Sequence, residues 1–487
     1  LPAMKEVGDK FGAGELILPF VLQSAEVMKK AVKHLETFLE KAEGYTKGKV
    51  VLATVYGDVH DIGKSLVNTI LSNNGYTVFD LGKQVPVNTI IEKALEVGAD
   101  AIGLSALLVS TSKQMPLCVQ ELDKRGIHIP VLIGGAAINR RFGRRAMFVE
   151  GERAYESGVF YCKDAFEGLE TMDALQDTDG RREEITAKLI ADARSDVFLH
   201  GNVGKDKAQG VSGGERSDVS HDHAVPAAPF FGTKVLEEIP LDEVFDLLDL
   251  DELFRLQWGG RGSGPEYERI VREEFTPTLE RLKAEARTEG WLRPQAIYGY
   301  FPAQSSGNEL VIYEPDPYQR DGTLVEKARF HFPRQEGRER LCIADYFRSS
   351  TSGDVDVVAF QIVTVGDEAT RRFEAMQIAG EYSEGLYSHG LAVEAAEAVA
   401  EWLHRRIRRE LGIPGGRGKR YSWGYGACPD LEDHGTLFKI LPAQESLGMD
   451  LTSAFQLLPE QSTAAILVHH PQAKYYAVRT AAEGAGV

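Results

Sequence analysis

Residues 50–63 read Val-Val-Leu-Ala-Thr-Val-Tyr-Gly-Asp-Val-His-Asp-Ile-Gly. The apolar start of this stretch predicts a buried strand, and the polar residues after it predict a loop that presents His60 between Asp58 and Asp61. Open α/β sheets bind ligands in loops at the carboxyl ends of their parallel strands. An imidazole there can ligate a metal through one nitrogen while a carboxylate holds the other. The plainer interpretation is a helix N-cap, in which Asp58 or Asp61 accepts backbone N–H groups and His60 is merely exposed.

This strand and loop begin a series of alternating elements. Strand patterns cover 49–55, 77–81, 100–105, 130–134 and 158–162, and helical patterns lie at about 65–74, 88–97, 112–125, 137–148 and after Asp164. Five such strand–helix units predict a doubly wound parallel sheet, flavodoxin-like or Rossmann-like, over residues 47–178.

The loop also carries a family resemblance. Residues 58–63 resemble the Asp-x-His-x-x-Gly motif of the cobalamin-binding domain of corrinoid methyltransferases and mutases, and segments 103–108 and 131–136 match in the family's order. The resemblance implies that His60 is the lower axial ligand of cobalt and that Asp58 holds its ring. A hydroxyl would support Asp58, at Thr111 or at its neighbours Ser110 and Ser112. The implied corrin contacts are Gly57, Asp58, His60, Asp61, Gly63, Ser105, Gly134 and Gly135.

Residues 1–46 show a helical apolar stripe, which is typical of a helix-bundle core. The segment from Val7 to Pro19 resembles the end of the helical cap that covers the corrinoid in methionine synthases. By that resemblance, this region is a partial cap, and Phe11 and Leu18 lie over the upper face of the corrin and shield the methyl group on cobalt.

The rest of the chain divides in two. Residues 179–228 lose apolar periodicity and become rich in Gly, Ser and Asp, which predicts a flexible linker. Residues 229–487 predict an α+β domain with a mainly antiparallel sheet. Its helical patterns lie at 241–257, 265–288, 367–409 and 450–456, and its strand patterns at 295–301, 310–313, 328–332, 355–364 and 464–468.

A second motif lies in this last block. Residues 420–429 read Arg-Tyr-Ser-Trp-Gly-Tyr-Gly-Ala-Cys-Pro, a composition that predicts a turn or loop. The stretch resembles the Arg-x-x-x-Gly-Tyr-x-x-Cys-Pro signature of the activation domain of cobalamin-dependent methionine synthases, which binds S-adenosylmethionine. The implied ligand contacts are Asp249, Glu397, Arg420, Gly424, Tyr425 and Tyr475. Arg420 can hold a carboxylate as a fork, and the two acids can pair with cationic groups. Without the resemblance, a solvated helix face would be the preferred interpretation of Asp249 and Glu397.

Bulk properties exclude several classes. The formal net charge of −18 disfavours non-specific nucleic-acid binding, and no apolar stretch is long enough to span a bilayer. The four cysteines are far apart, which argues against a disulfide framework and suits a reducing cytoplasm. The chain does not begin with Met, so we interpret it as a piece of something longer.

Together these features resemble the C-terminal portion of cobalamin-dependent methionine synthases. The resemblance implies an enzyme that carries a methyl group on cobalt from methyltetrahydrofolate to homocysteine and is reductively remethylated with S-adenosylmethionine. It implies a monomer, with flavodoxin or a flavoprotein reductase as electron donor, and zinc only in a homocysteine module that these residues lack. The alternative is a stand-alone corrinoid carrier for separate methyltransferases, which explains 1–178 but leaves 229–487 unexplained. Binding of S-adenosylmethionine distinguishes the two.

Overall fold

The computed structural model describes residues 6–7, 10–11, 15–36, 46–107, 109–136, 138–151, 153–177, 179–195, 216–335, 339–413, 415 and 417–478. The chain divides into two compact units. The first comprises residues 1–207 with the short stretch Gln377–Ser383, and the second comprises the remainder. In the described part of the chain, no helix is both long enough and apolar enough to cross a membrane.

The first unit alternates strands and helices. Its elements are α1 (Leu18–Glu36), β1 (Lys49–Thr54), α2 (Ile62–Asn73), β2 (Thr77–Asp80), α3 (Val87–Val97), β3 (Ala101–Ser105), α4 (Val109–Ser112), α5 (Gln114–Lys124), β4 (Val131–Gly134), α6 (Arg140–Ala146), β5 (Phe148–Glu150), β6 (Arg153–Ala154), β7 (Val159–Tyr161), α7 (Ala165–Leu175) and α8 (Arg181–Arg194). Five strands form one parallel sheet in the order β2-β1-β3-β4-β7. This confirms the doubly wound sheet, with the flavodoxin-like strand order.

Burial of both sheet faces explains the continuous apolar runs. In β1, Val51 and Ala53 pack into one core cluster, while Val50 and Leu52 pack into another on the opposite face. Successive side chains of a strand point to opposite faces, so a strand covered on both sides is apolar at every position. The polar residues of this region therefore lie in the loops at the carboxyl edge of the sheet.

The second unit is an α+β domain. Its elements are β8 (Gly232–Leu236), α9 (Leu241–Phe245), α10 (Leu250–Glu252), α11 (Pro265–Ile270), α12 (Thr276–Glu289), β9 (Gln295–Ser306), β10 (Glu309–Tyr313), α13 (Pro315–Asp321), β11 (Glu326–His331), β12 (Asp356–Thr364), α14 (Glu368–Ala379), α15 (Tyr382–Glu410), β13 (Lys419–Ser422), α16 (Asp433–Ile440), α17 (Ala443–Leu447), β14 (Asp450–Leu451), β15 (Leu457–Leu458) and β16 (Ser462–Val468). Two π-helical segments, Leu253–Gln257 and Val271–Phe275, continue α10 and α11, and a 3₁₀ turn covers Ile343–Tyr346.

One sheet organises this unit. Its strands follow the order β11-β10-β9-β12-β16-β13, and β8 also pairs with β9. The pairings are antiparallel, which confirms the predicted sheet type. The central strand β12 is buried along its whole length, so the main core of the unit lies around it.

The structure differs from the sequence-based expectations at several elements. The predicted helix at 367–409 is two helices, α14 and α15, and the predicted helix at 241–257 is divided into α9 and α10. Residues 450–456, predicted as a helix, contain the short strand β14, and the predicted turn at 420–422 belongs to β13. Within the predicted linker, residues 181–194 form α8, whose Ala193 is buried in the core of the first unit. Most residues of α8 are polar or charged, and only a few apolar residues pack inward, so the sequence shows no clear apolar periodicity there.

The other described end of the predicted linker is also ordered by contacts. We call residues 216–223 the strap. The backbone and hydroxyl of Ser217 donate hydrogen bonds to Asp345 Oδ2 at 2.8 and 2.7 Å. The Arg348 guanidinium donates to the carbonyl oxygens of His221 and His223. The strap is therefore part of the second unit. The middle of the predicted linker, residues 196–215, lies outside the described residues.

Candidate functional site

The first candidate site lies at the carboxyl edge of the parallel sheet. The loop after β1 carries Asp58 and His60, the loop after β3 begins at Ala106, and the loop after β4 carries Gly135. Backbone hydrogen bonds join these loops, since Val55 N–H donates to Ser105 O at 3.1 Å and Ala106 N–H donates to Gly134 O at 3.2 Å. The sheet thus brings together the three segments that the sequence singled out.

Asp58 is the buried centre of this edge. Its side chain has 0% exposure. Oδ1 accepts hydrogen bonds from the backbone N–H of His60 at 3.0 Å and from the His60 ring at 2.9 Å. Oδ2 accepts from Leu107 N–H at 2.8 Å and from the Thr111 hydroxyl at 2.5 Å. These donors are not the N–H groups of a following helix, so Asp58 is not acting as an N-cap.

The protonation of this pair follows from its contacts. Burial raises the pKa of Asp58, but the hydrogen bonds from His60 and Thr111 outweigh burial and hold the pKa below its ordinary value. An ionised carboxylate can only accept, so Nδ1 of His60 carries the proton in this pair. In the neutral ring the lone pair then lies on Nε2, which is the arrangement of a metal-ligating histidine held by a carboxylate. The His60 side chain retains 26% exposure.

The donor set fits a metal that brings most of its own ligands. Among the described residues, no group of three or more His, Cys, Asp or Glu side chains could hold a metal ion. A cobalt ion held by a corrin would need only one nitrogen from the protein. His60 can supply that nitrogen, so the residues present fit cobalamin.

The glycines of the edge have two different roles. Gly135 has φ of 128°, and a Cβ built there would meet Ala106 O at 1.9 Å, so this glycine is required by the fold. Gly63 has no such φ, and a Cβ there would meet nothing within 4 Å. Gly57, with φ of 83°, allows the turn that leads into Asp58. The space beside Gly63 suits a ligand that approaches the backbone closely.

The predicted cap residues lie in the same unit. Phe11 is 6% exposed, and its ring lies 5.5 Å from that of Phe166, centroid to centroid. Phe166 is in the first turn of α7, which follows β7 and therefore starts at the carboxyl edge. Leu18 is half-buried at the start of α1. Phe11 is thus near the carboxyl edge that carries His60, while the role of both residues as a lid stays a prediction.

The second candidate site lies in the second unit, between α15, β13 and the turn before α10. Arg420 on β13 donates from Nη2 to Glu397 Oε2 on α15 at 2.9 Å. Its Nη1 is buried and has no hydrogen-bond partner within the described part of the chain. Asp249 is the N-cap of α10, and its own N–H donates to Glu394 Oε1 at 3.0 Å. Because Glu394 and Glu397 are one turn apart on α15, these contacts join Asp249 to Arg420.

Aromatic residues flank this group. Tyr425 follows Gly424, whose φ of 88° turns the chain, and it is 70% exposed. Desolvation of its hydroxyl raises the pKa of Tyr425, with Glu397 acting in the same direction and Arg420 opposing. Tyr475 is 65% exposed, and its ring lies 5.6 Å from that of Tyr421, the strand neighbour of Arg420. Tyr425 therefore lies close to Arg420 and Glu397, whereas Tyr475 packs on Tyr421, whose side chain points to the opposite face of β13 from that of Arg420.

Sequence reasoning missed Glu394. It is 6% exposed, and burial together with the charges of Glu397, Asp249 and Glu252 raises its pKa to about 7. No motif marks it, because its property depends on burial and on carboxylates from another element. Its spacing of three residues from Glu397 was the one available signal.

Comparisons with known proteins match the regions of the chain that carry the two candidate sites. Residues 48–157 match the family described as B12 binding domain, and residues 1–36 match a second family of that description. Residues 271–484 match the family described as vitamin B12 dependent methionine synthase, activation domain. A solved structure of the MetH reactivation domain bound to AdoHcy is 26% identical, with a TM-score of 0.46, covering 53% of this chain and 84% of that chain.

Two curated relatives align along nearly the whole chain. The methionine synthase of Mycobacterium tuberculosis is 40% identical over 526 residues, and that of Mycobacterium leprae is 40% identical over 530 residues. Each alignment covers 98% of this chain and 43% of the relative, so the chain spans less than half the length of these proteins. By these matches the chain contains a B12 binding domain and the activation domain of a vitamin B12 dependent methionine synthase.

Proposed function

We propose that the first unit binds cobalamin with His60 as the lower ligand of cobalt. The observation that carries this proposal is the buried Asp58 carboxylate. Its Oδ1 lies 2.9 Å from Nδ1 of His60 and fixes the Nδ1–H tautomer, and its Oδ2 accepts a hydrogen bond of 2.5 Å from the Thr111 hydroxyl. A carboxylate on the distal nitrogen raises the basicity of the ligating nitrogen. Bound cobalamin supplies a metal centre that accepts and donates a methyl group.

The second unit would bind S-adenosylmethionine at Arg420. The buried Nη1 of Arg420, which has no hydrogen-bond partner among the described residues, supports this assignment because a ligand carboxylate would complete the fork. Glu397 and Asp249 supply negative charge for the ammonium and sulfonium groups. Tyr425 and Tyr475 offer exposed ring faces to the cation and the adenine.

Within a longer methionine synthase, this portion would carry the methyl group between methyltetrahydrofolate and homocysteine. Its activation domain would restore the methyl group from S-adenosylmethionine, with one electron from flavodoxin or a flavoprotein reductase. The names of the two mycobacterial relatives support this assignment. We place the protein in the cytoplasm as a monomer; its four cysteines form no disulfide, which supports a reducing compartment.

Spectroscopy of the reconstituted chain tests the first assignment, and calorimetry tests the second. We expect bound methylcobalamin to show the spectrum of nitrogen-ligated cobalt in the parent and in His128→Gly, an exposed histidine of the same unit. His60→Gly should lose that spectrum. We further expect calorimetry to show S-adenosylmethionine binding that Arg420→Ala abolishes. An unchanged spectrum in His60→Gly would refute the axial assignment, and undiminished binding in Arg420→Ala would refute the second site.

A further inference from the structure

Glu394 lies next to both acids of the second site, Asp249 and Glu397. Glu394 is on α15 and its side chain is buried. Its Oε1 accepts a hydrogen bond from the backbone N–H of Asp249 at 3.0 Å. Asp249 in turn caps α10 through bonds from Asp251 N–H at 3.0 Å and Glu252 N–H at 3.1 Å. Displacement of Glu394 would therefore move the backbone from which the Asp249 carboxylate projects.

The charges around Glu394 have one sign. Glu397 faces it from its own helix, and Asp249 and Glu252 face it from the turn and helix packed against α15. The arginine of the site, Arg420, forms its ion pair with Glu397. Burial raises the pKa of Glu394 to about 7, and the three carboxylates act in the same direction. A cation placed among these groups would favour the ionised form of Glu394.

We propose that Glu394 is a positioning residue that holds the Asp249 turn, carries a proton in the ligand-free site, and releases it to solvent when a sulfonium-bearing nucleoside binds. This inference rests on the proposed function, because it requires S-adenosylmethionine at Arg420. The demethylated product has the same adenosine, ammonium and carboxylate groups but a neutral thioether sulfur. Proton release therefore gives the site a means to prefer the charged methyl donor over its product.

The proposal predicts linked pH profiles. If the bound cation lowers the pKa of Glu394 by about one unit, affinity for S-adenosylmethionine rises up to about tenfold as pH increases through neutrality. S-adenosylhomocysteine should show a smaller rise. In Glu394→Gln, which keeps an oxygen to accept the Asp249 N–H, both ligands should lose this dependence.

Calorimetry of the full chain provides the test. Binding at pH 7 is measured in two buffers of different ionisation enthalpy, which reports proton release in the parent protein without any mutation. Glu401→Gln is the matched control, since Glu401 lies on the same helix and its hydrogen bonds to His404 and Arg405 lower its pKa to about 2. We expect proton release in the parent and in this control, and its loss in Glu394→Gln.

The two possible failures are distinguishable. If the parent does not bind S-adenosylmethionine at any pH, the proposed function of the second unit is wrong. If the parent binds it without proton release, and Glu394→Gln shows the same pH profile, the site stands and the role of Glu394 is overturned.

Discussion

At the scale of single residues, the Asp58–His60 pair depends on a hydroxyl. Three candidates were open from the sequence, at 110–112, and the structure shows that Thr111 donates to Asp58. The sequence could not decide between them, because which hydroxyl meets Asp58 depends on the short helix α4. The side chain of Ser110 lies outside the described residues.

Thr111→Val should weaken the support of the axial ligand. Removal of this hydrogen bond raises the pKa of Asp58 towards its ordinary value, so the Asp58–His60 pair takes up a proton at higher pH. Loss of such a supporting partner typically costs about 10–100-fold in affinity or activity. A pH titration of bound methylcobalamin should show that the axial nitrogen leaves cobalt at higher pH than in the parent. Thr111→Ser, which keeps the hydroxyl, should behave as the parent; an equal shift in both variants would contradict the role of the hydrogen bond.

Substitutions of two glycines at the same edge should distinguish an effect on folding from an effect on cobalamin binding. A Cβ at Gly135 would meet a backbone oxygen at 1.9 Å, so Gly135→Ala should destabilise the first unit by an amount on the order of 1–3 kcal/mol. At Gly63 a Cβ would meet no atom within 4 Å, so Gly63→Ala should leave the free energy of unfolding unchanged or slightly higher. We expect Gly63→Ala to lose cobalamin affinity even so, because its methyl group would occupy the ligand's space. Urea unfolding and cobalamin titration of both variants check this, and full affinity in Gly63→Ala would remove this glycine from the site.

At the scale of elements, the sequence predicted buried strands more accurately than polar strands and helices. The five parallel strands were predicted to within one or two residues, mainly because the strands inside the sheet are buried on both faces and apolar at most positions, although the edge strand β2 is exposed at both ends. The sequence missed β8 and β13, which carry polar residues, lie away from the sheet centre and depend on pairing with distant strands. It also missed α8, where a few inward positions decide the packing.

The strap shows how a polar segment can be ordered by neutral histidines. The rings of His223 and His470 lie 4.4 Å apart, centroid to centroid. Burial, with the charges of neighbouring groups acting in the same direction, lowers the pKa of each to about 4. Two rings this close cannot both become charged without repulsion.

Acid should therefore loosen the strap. Because the folded pKa values are below the ordinary value of 6.5, the contribution to stability is complete above pH 6.5 and is lost as pH falls towards 4. Hydrogen-exchange protection of the Ser217 and Ser220 amides should fall between pH 6.5 and 4.5, while the amide of Tyr421 in β13 stays protected. His223→Asn removes one titrating ring and should flatten this dependence. If the variant and the parent lose protection over the same pH range, the histidines are not the cause.

At the scale of the whole molecule, each unit has its own hydrophobic core. The clusters around β1 and β3 contain only residues of the first unit, and the cluster around β12 contains only residues of the second. Units with separate cores can unfold separately, so a single free energy of unfolding would not describe this chain.

Differential scanning calorimetry should therefore resolve two transitions. Cobalamin should raise the melting temperature of one transition, and S-adenosylmethionine that of the other. At a hundredfold excess over its dissociation constant, each ligand should add about 2.7 kcal/mol to the free energy of unfolding of its unit. His60→Gly should remove only the first shift and Arg420→Ala only the second. A single transition that moves with either ligand would show that the units unfold as one.

The contacts of Asp58 have a thermodynamic consequence for cofactor uptake. Its Oδ2 already joins the loop after β1 to the segment after β3, because it accepts hydrogen bonds of 2.5–2.8 Å from Leu107 and Thr111. A ligand that arrives at loops joined in this way has little chain entropy to remove. Cobalamin uptake should then resemble the docking of two formed surfaces, with a heat-capacity change set by the apolar area covered rather than by the folding of loops.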